Sequence, residues 1–180
     1  MKAKDLIAPI AAILAAAAVL LAAASLLRPV AEQRENASRA EIMSYMLPTR
    51  PTSFSEEPCD GGDESIRRVF KAEGGYVIEV SADGYAGEML LWVGVTEDGT
   101  VSGVTVRDHA ETFGLGGQAQ HDAKFLLQFL GTGGDAAVGE NVDALTGATV
   151  TSKAVARAVN AAAGWVTGAD VSSGATEWGG

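Results

Sequence analysis

The chain contains a hydroxyl-rich turn whose residue types suit a phosphorylated ligand. The turn reads Asp143-Ala-Leu-Thr-Gly-Ala-Thr149, and an alanine-rich stretch follows it over residues 153–163. Thr151 or Ser152 is expected to cap a helix over that stretch, which leaves Thr149 just outside the cap with a free hydroxyl. Unpaired N–H groups and the helix dipole favour a phosphate there. An ordinary capped helix is the alternative, and the spacing of a Walker phosphate loop is absent.

A glycine-rich loop precedes this turn in the chain. It reads Asp108-His-Ala-Glu-Thr-Phe-Gly-Leu-Gly-Gly117 and follows a predicted strand. Glycine allows backbone conformations closed to other residues and lets a ligand approach closely. A surface loop without a ligand is the alternative.

Three stretches occur in the order found in a known family: Gly84-Tyr-Ala-Gly87, Glu111-Thr-Phe-Gly-Leu-Gly116 and Asp143 to Thr151. Together they resemble the FMN-binding domain family, which includes the G subunit of the Rnf electron-transport complex and the C subunit of the sodium-translocating NADH:quinone reductase. In that family the last threonine of Asp-x-x-Thr-Gly-Ala-Thr carries FMN through a phosphoester bond, attached by a separate flavin transferase. The resemblance implies that Thr149 is the acceptor and FMN the cofactor.

The resemblance and the predicted helix start together suggest a set of cofactor-binding residues. Asp143 is expected to shape the turn and not to bind phosphate, because like charges repel. Phe113 replaces the proline of the family's loop, so the loop backbone is less restricted. The full predicted set is Thr149 as covalent acceptor, Asp143, Thr146, Gly147, Ala148, Thr151, Ser152 and Lys153 in the turn, and Glu111, Thr112, Phe113, Gly114, Leu115 and Gly116 in the loop.

A second match to the motif, Asp170-Val-Ser-Ser-Gly-Ala-Thr176, stands near the end of the sequence. No helical stretch follows it, so we interpret residues 169–180 as a flexible tail and the match as a coincidence of composition. Thr176 as a second acceptor is the alternative.

Composition excludes several classes of function. The net charge of −10 argues against nucleic-acid binding, which needs Lys and Arg. The single cysteine, Cys59, excludes an intrachain disulfide, and one Cys with two His is too few for a closed zinc site, so no metal is expected. No G-x-G-x-x-G follows a predicted strand, which argues against a nicotinamide site. We therefore expect an electron-transfer subunit with no catalytic residues and no substrate site of its own.

The N-terminal part has the composition of a membrane anchor. Leu6 to Leu27 is apolar apart from Pro9 and Ser25, and at about 1.5 Å per residue it can cross a hydrocarbon core of roughly 30 Å. A cleaved signal peptide is the alternative, although its apolar region is typically shorter, about 7–15 residues. Basic residues flank the run on both sides and do not decide the orientation. The resemblance implies a single-pass protein of the inner or cytoplasmic membrane, contacting lipid through this helix, with its soluble domain on the outer face.

The rest of the chain predicts an α+β domain with a small twisted antiparallel sheet and packed helices. Predicted strands cover 76–80, 87–96 and 100–107, and the last two join through a Glu97-Asp-Gly99 hairpin. The segment 66–73 is either a strand or a short helix. A short amphipathic helix is predicted over 122–130, capped by Asp122 and ended by Gly131, with its aromatic and leucine residues in the core. We predict an anchor over 1–28, a juxtamembrane helix and mobile polar linker over 29–65, and an FMN-binding domain over 66–168.

These parts predict a membrane-anchored flavoprotein electron carrier within an Rnf-like ion-translocating complex. Its expected partners are other membrane subunits of an electron-transport complex and, for maturation, the flavin transferase. The alternatives are a flavinylated sensor or accessory domain that serves another membrane oxidoreductase, and an anchored binding module without a cofactor.

Overall fold

The computed structural model describes residues 4–59, 63–112 and 114–169. Its central feature is a five-stranded antiparallel sheet in which each strand pairs with the next one along the chain. The strands are β1 (Ser55–Glu57), β2 (Ile66–Ala72), β3 (Gly75–Asp83), β4 (Glu88–Thr96) and β5 (Val101–His109). The predicted antiparallel α+β fold is confirmed, and the undecided segment 66–73 is a strand because its residues pair with β3.

The β4–β5 hairpin follows directly from its sequence. The apolar run of β4 is buried throughout from Leu91 to Val95, as expected of an interior strand. At the turn, the Thr96 amide donates to the Thr100 carbonyl at 2.9 Å. Gly99 has φ +87°, a left-handed conformation that favours glycine.

One face of the sheet is covered by helix α3 (Thr149–Thr167), which contains many alanines. Small side chains let a helix lie close to a sheet, and α3 buries residues such as Ala154, Val155, Ala158 and Val159. Gly168 follows α3 in the left-handed conformation typical of a helix C-terminus.

Helix α2 (Ala123–Leu127) adds aromatic residues to this core. As predicted, the Asp122 carboxylate caps it, accepting from the Phe125 amide at 3.0 Å. Phe125 and Phe129 are buried edge to face, with ring centroids 5.2 Å apart. The expectation that all leucines of this segment are core is wrong, since Leu127 and Leu130 are 61 % and 41 % exposed. The helix ends at Leu127, so Leu130 follows it in a turn, and Phe125 occupies the one buried face of the five-residue helix.

The opposite face of the sheet is covered by the end of helix α1 (Lys4–Tyr45) and the residues after it. Met43, Met46 and Leu47 form a buried cluster with Val77 and Trp92 of the sheet. The Ser102 hydroxyl donates to the Met46 carbonyl at 2.7 Å, which fixes this segment on β5.

The segment predicted as a mobile linker contributes a strand. β1 pairs with β2 through Ser55, Glu56 and Glu57, and Arg68 of β2 donates to the Glu56 carboxylate at 2.8 and 2.9 Å. The sequence gives no sign of this pairing because a three-residue edge strand has no detectable alternation.

Helix α1 is a single helix of 42 residues. Residues up to 40 form one compact unit and residues from 41 onward another. By length and composition, the segment Ala15–Tyr45 of this helix is able to cross a membrane. The predicted N-terminal apolar helix is therefore present.

Candidate functional site

The hydroxyl-rich turn leads into α3 earlier than expected. The helix begins at Thr149, so the predicted start near residue 153 is wrong, as is capping by Thr151 or Ser152. Ala148 is the N-cap residue, and the Ser152 amide makes the first helical bond, to the Ala148 carbonyl at 2.9 Å. Thr149 is exposed as the first helical residue, whereas Thr151 and Ser152 are fully buried in the first turn.

The turn before the helix is held by both backbone and side-chain bonds. The Ala148 amide donates to the Leu145 carbonyl at 3.0 Å, and Gly147 has φ +75°, the arrangement of a type II turn. The Ser152 hydroxyl donates to the Ala148 carbonyl at 2.9 Å and accepts from the Leu145 amide at 3.0 Å. Ser152 therefore supports the turn from inside the protein.

Asp143, which begins the motif, is fixed through its backbone. Its amide donates to the Gln128 side-chain oxygen at 2.8 Å, and its carbonyl accepts from the Gln128 side-chain nitrogen at 3.4 Å. The Asp143 side chain is exposed. These backbone contacts hold residue 143 at the end of α2, but they do not involve the carboxylate, so a role of the Asp143 side chain in shaping the turn stays a prediction.

The glycine-rich loop lies against the start of α3 through Glu111. The Glu111 side chain is 8 % exposed, and its Oε2 accepts from the Thr151 hydroxyl at 2.9 Å. Its Oε1 accepts from the Ala86 amide at 3.1 Å. The three stretches singled out in the sequence therefore meet at one carboxylate.

A cleft of about 430 Å³ opens where these stretches meet. Ligand pockets typically enclose roughly 300–1,000 Å³, so the cleft has the size of a small-molecule site. Side chains of four kinds surround it: a phenol, a carboxylate, aliphatic groups and hydroxyls. The lining residues are Tyr85, Glu111, Thr112, Leu115, Gly116, Gly147, Ala148, Thr149, Val150 and Thr151.

Two lining residues, Tyr85 and Val150, are absent from the set predicted from the sequence. Tyr85 is 78 % exposed and stands in the β3–β4 turn, next to Ala86. Sequence reasoning could have found Tyr85, because it is an aromatic residue within the Gly84-Tyr-Ala-Gly87 block. An aromatic side chain in a solvent-exposed turn does not pack in the core, which indicates a binding role.

Some predicted residues lie elsewhere or are already engaged. Thr146 and Lys153 are exposed but are not among the lining residues, and the Thr151 and Ser152 hydroxyls serve internal hydrogen bonds. Gly114 is exposed, and its carbonyl accepts from Gln118 at 2.8 Å. Phe113 and the second motif over 170–176 lie outside the described residues. Within the described ranges, no three His, Cys, Asp or Glu side chains are grouped as metal ligands.

The residues present fit a flavin nucleotide. Thr149 places a free hydroxyl at the start of a 19-residue helix, where the leading N–H groups lack intrahelical partners and favour a phosphate. Tyr85, Leu115 and Val150 are exposed side chains with apolar surface that line the same cleft as Thr149, and they suit a planar aromatic ring system.

Comparison with known proteins gives consistent results. Residues 84–164 match the profile of the FMN-binding domain family. The G subunit of a proton-translocating ferredoxin:NAD(+) oxidoreductase complex from Clostridium ljungdahlii is 40 % identical over 99 residues, which are 51 % of this chain and 53 % of that protein. The G subunit of an ion-translocating oxidoreductase complex from Vibrio cholerae is 37 % identical over 48 % of this chain and 46 % of its own length. The chain thus spans about half the length of these two relatives.

A longer match extends over nearly the whole chain. The G subunit of an ion-translocating oxidoreductase complex from Methanosarcina acetivorans is 32 % identical over 174 residues, 89 % of both proteins. Among solved structures, NqrC of Shewanella oneidensis is 24 % identical with a TM-score of 0.46, covering 72 % of this chain and 74 % of its own. The predicted family and cofactor are confirmed: the chain belongs to the FMN-binding domain family, and FMN is the cofactor of the domain over residues 84–164.

Proposed function

We propose that this chain is a membrane-anchored electron carrier that holds FMN covalently through Thr149, within an ion-translocating oxidoreductase complex. The FMN-binding family and the full-length similarity to the G subunit of such a complex support the setting. The proposal adds three points to this setting: the covalent link to Thr149, the membrane anchor, and the location of the soluble domain on the outer face of the membrane.

The position of Thr149 carries this proposal. It is the last residue of the Asp-x-x-Thr-Gly-Ala-Thr turn, it is exposed, and it lines the cleft. Of the three threonines near the helix start, Thr146 is exposed outside the lining, and Thr151 is buried with its hydroxyl bonded to Glu111. Thr149 alone of these three combines an accessible hydroxyl with a place in the cleft.

Attachment would join the Thr149 oxygen to the phosphorus of an activated FMN donor. The hydroxyl proton is lost, and the bond between phosphorus and its leaving group breaks, in a reaction that the flavin transferase would catalyse. Gly147 and Ala148 leave space beside the hydroxyl, and the α3 N-terminus stabilises the phosphate charge. Lys153, exposed just after the first turn of α3, adds a positive charge at this end of the helix.

An electron-carrier role follows from what the chain itself supplies. FMN provides the redox chemistry, while the protein provides attachment, orientation and electrostatics. Tyr85, Leu115 and Val150, the exposed apolar residues of the cleft, would hold the flavin at the surface, where neighbouring subunits could reach it. The donor and acceptor would therefore be sites on other subunits of the complex.

Intact mass spectrometry tests the covalent link. Protein from its own host is expected to carry one FMN-sized addition, which disappears in Thr149→Ala. Thr52→Ala is the matched control, because it removes an exposed threonine hydroxyl outside both the motif and the cleft and should keep the addition. An unmodified Thr149, or flavin found on Thr176 and none on Thr149, would contradict the proposal.

Thiol labelling tests the anchor and the outer-face location. Cys59 is the only cysteine of the chain, so Cys59→Ser combined with Glu140→Cys gives one reactive group at an exposed position. A membrane-impermeant reagent should label this variant in intact cells, in the membrane fraction. Labelling only after lysis would contradict the outer location, and a mass lacking the N-terminal residues would show removal of the anchor.

A further inference from the structure

Glu111 is a buried carboxylate that belongs to no ion pair among the described residues. The three salt bridges of that part of the chain are Arg39–Glu35, Arg67–Glu88 and Arg68–Glu56. Burying an unpaired charge is costly unless hydrogen bonds satisfy it. Two donors and the positive end of α3, which carries Thr151 in its first turn, meet this requirement for Glu111.

The two donors belong to different walls of the cleft. Ala86, whose amide donates to Oε1 at 3.1 Å, follows Tyr85 in the β3–β4 turn. Thr151, whose hydroxyl donates to Oε2 at 2.9 Å, comes two residues after Thr149 in α3. One carboxylate therefore connects the turn carrying the exposed aromatic ring to the helix carrying the exposed hydroxyl.

Two glycines are required by the position of this carboxylate. A Cβ on Gly84 would overlap Glu111 Oε1, and a Cβ on Gly116 would overlap Oε2 and lie 2.6 Å from Thr151 Oγ1. Neither glycine has a positive φ, so the backbone conformation does not require glycine at these positions. The close approach of the Glu111 carboxylate does. Gly116 also brings its neighbour Leu115 to the cleft as a third wall.

We propose that Glu111 is a positioning residue that fixes the Tyr85 turn, the Leu115 loop and the Thr149 helix start relative to one another. This inference rests on the proposed function, because these three walls are the ones that would receive the FMN. Glu111 acts through its hydrogen bonds to Ala86 and Thr151. It is not assigned a contact with the flavin itself.

Three variants of the full chain test this role. Glu111→Ala removes both hydrogen bonds, whereas Glu111→Gln keeps an acceptor for Ala86 and a polar group for Thr151. Asn160→Ala is the matched control: it also removes two hydrogen bonds of a buried α3 contact, those to Ala136, away from the cleft. The rate of flavin attachment by the transferase is followed by fluorescence in denaturing gels, and the visible circular dichroism of bound flavin reports its surroundings.

Attachment to Glu111→Ala is expected to slow by about 10–100-fold, because displacement of a reacting group by about 1 Å has effects of this size. Its flavin dichroism should also change. Glu111→Gln should restore most of the rate, and Asn160→Ala should match the unchanged chain in both measurements. Equal rates and spectra for Glu111→Ala and the unchanged chain would overturn the inference, as would equal losses in Glu111→Ala and Asn160→Ala.

A measurement without flavin separates this inference from the proposed function. Hydrogen exchange of the Ala86 amide in flavin-free protein should be slow in the unchanged chain and in Asn160→Ala, and fast in Glu111→Ala. If the unchanged chain never accepts flavin, the proposed function fails, and this exchange pattern alone decides the inference. Equal exchange in all variants would overturn it.

Discussion

Two buried polar contacts of different kinds join helix α3 to distant segments of the domain. Near its start, the Glu111 clamp consists of Glu111 with Ala86 and Thr151. In its second half, the Asn160 clamp consists of the Asn160 amide, which donates to the Ala136 carbonyl and accepts from the Ala136 amide, both at 2.9 Å. Asn160 is 6 % exposed, so both clamps are buried.

The two clamps differ in their charge and in the number of chain segments that they join. Asn160 is neutral and satisfies both backbone groups of a single loop residue, which serves the stability of the fold. Glu111 brings a charge into the interior and divides its two oxygens between separate segments that border the cleft. A neutral side chain with one donor and one acceptor matches Ala136. At residue 111 both partners donate, so a neutral amide keeps both bonds only if the Thr151 hydroxyl turns to accept. The two clamps therefore position different things: Asn160 holds one loop residue, whereas Glu111 holds two segments that border the cleft.

The largest effect is expected from filling the space beside the Glu111 clamp. Gly116→Ala places a methyl group against both Glu111 and Thr151, and such overpacking costs up to about 3 kcal/mol. Gly133→Ala is the control near the Asn160 clamp, because a Cβ there meets nothing within 4 Å. Chemical denaturation should show a marked loss of stability for Gly116→Ala and a change of less than about 0.5 kcal/mol for Gly133→Ala. Similar stability in the two variants would contradict the crowding around Glu111.

Removing the Asn160 clamp should affect stability alone. Asn160→Ala leaves the Ala136 amide and carbonyl buried without this partner, at a cost of about 2 kcal/mol. Its free energy of unfolding should fall, while the mass spectrum still shows complete flavin attachment under conditions where the protein stays folded. Loss of flavin from folded Asn160→Ala would remove the functional difference between the two clamps.

The smallest effect concerns an exposed carboxylate that serves as a reference for the buried one. The Thr96 hydroxyl, and next the Thr100 amide, lower the pKa of Asp98 in the β4–β5 turn. Because the folded-state pKa lies below the unfolded value, the stabilisation is present above about pH 4 and is lost as the pH falls through the folded pKa. Asp98→Asn should flatten this part of the stability profile in acid and leave flavin attachment unchanged. An unaltered acid profile would show that the turn bonds contribute no pH dependence.

Local sequence is sufficient for the elements whose signals are contiguous. The predictions of the Glu97-Asp-Gly99 hairpin and of the Asp122 cap are both confirmed, since a turn and a cap depend on a few neighbouring residues. The exposure of Leu127 does not follow from the sequence, because the buried face of so short a helix depends on where it packs. Strand β1 is unpredictable for the same reason: only the neighbouring β2 makes Ser55 to Glu57 a strand.

The residues of the turn and the start of α3 also divide into those whose position follows from local sequence and those whose position depends on packing. The accessible hydroxyl of Thr149 follows from small neighbours and a following helix, and its assignment as flavin acceptor remains a prediction. The helix begins ahead of its expected start, because Ser152 bonds inward to Leu145 and Ala148 and does not act as a cap. Competition between capping and an interior bond depends on burial, which no local pattern reports.

The sequence by itself determined the family, the FMN cofactor and the main strands, because these depend on motifs and alternation readable along the chain. Only the tertiary structure decided that Glu111, Ala86 and Thr151 meet, and that Tyr85 borders the cleft. The physical reason is sequence distance: residues 25 and 40 positions from Glu111 become its hydrogen-bond partners only after the sheet and α3 have packed together.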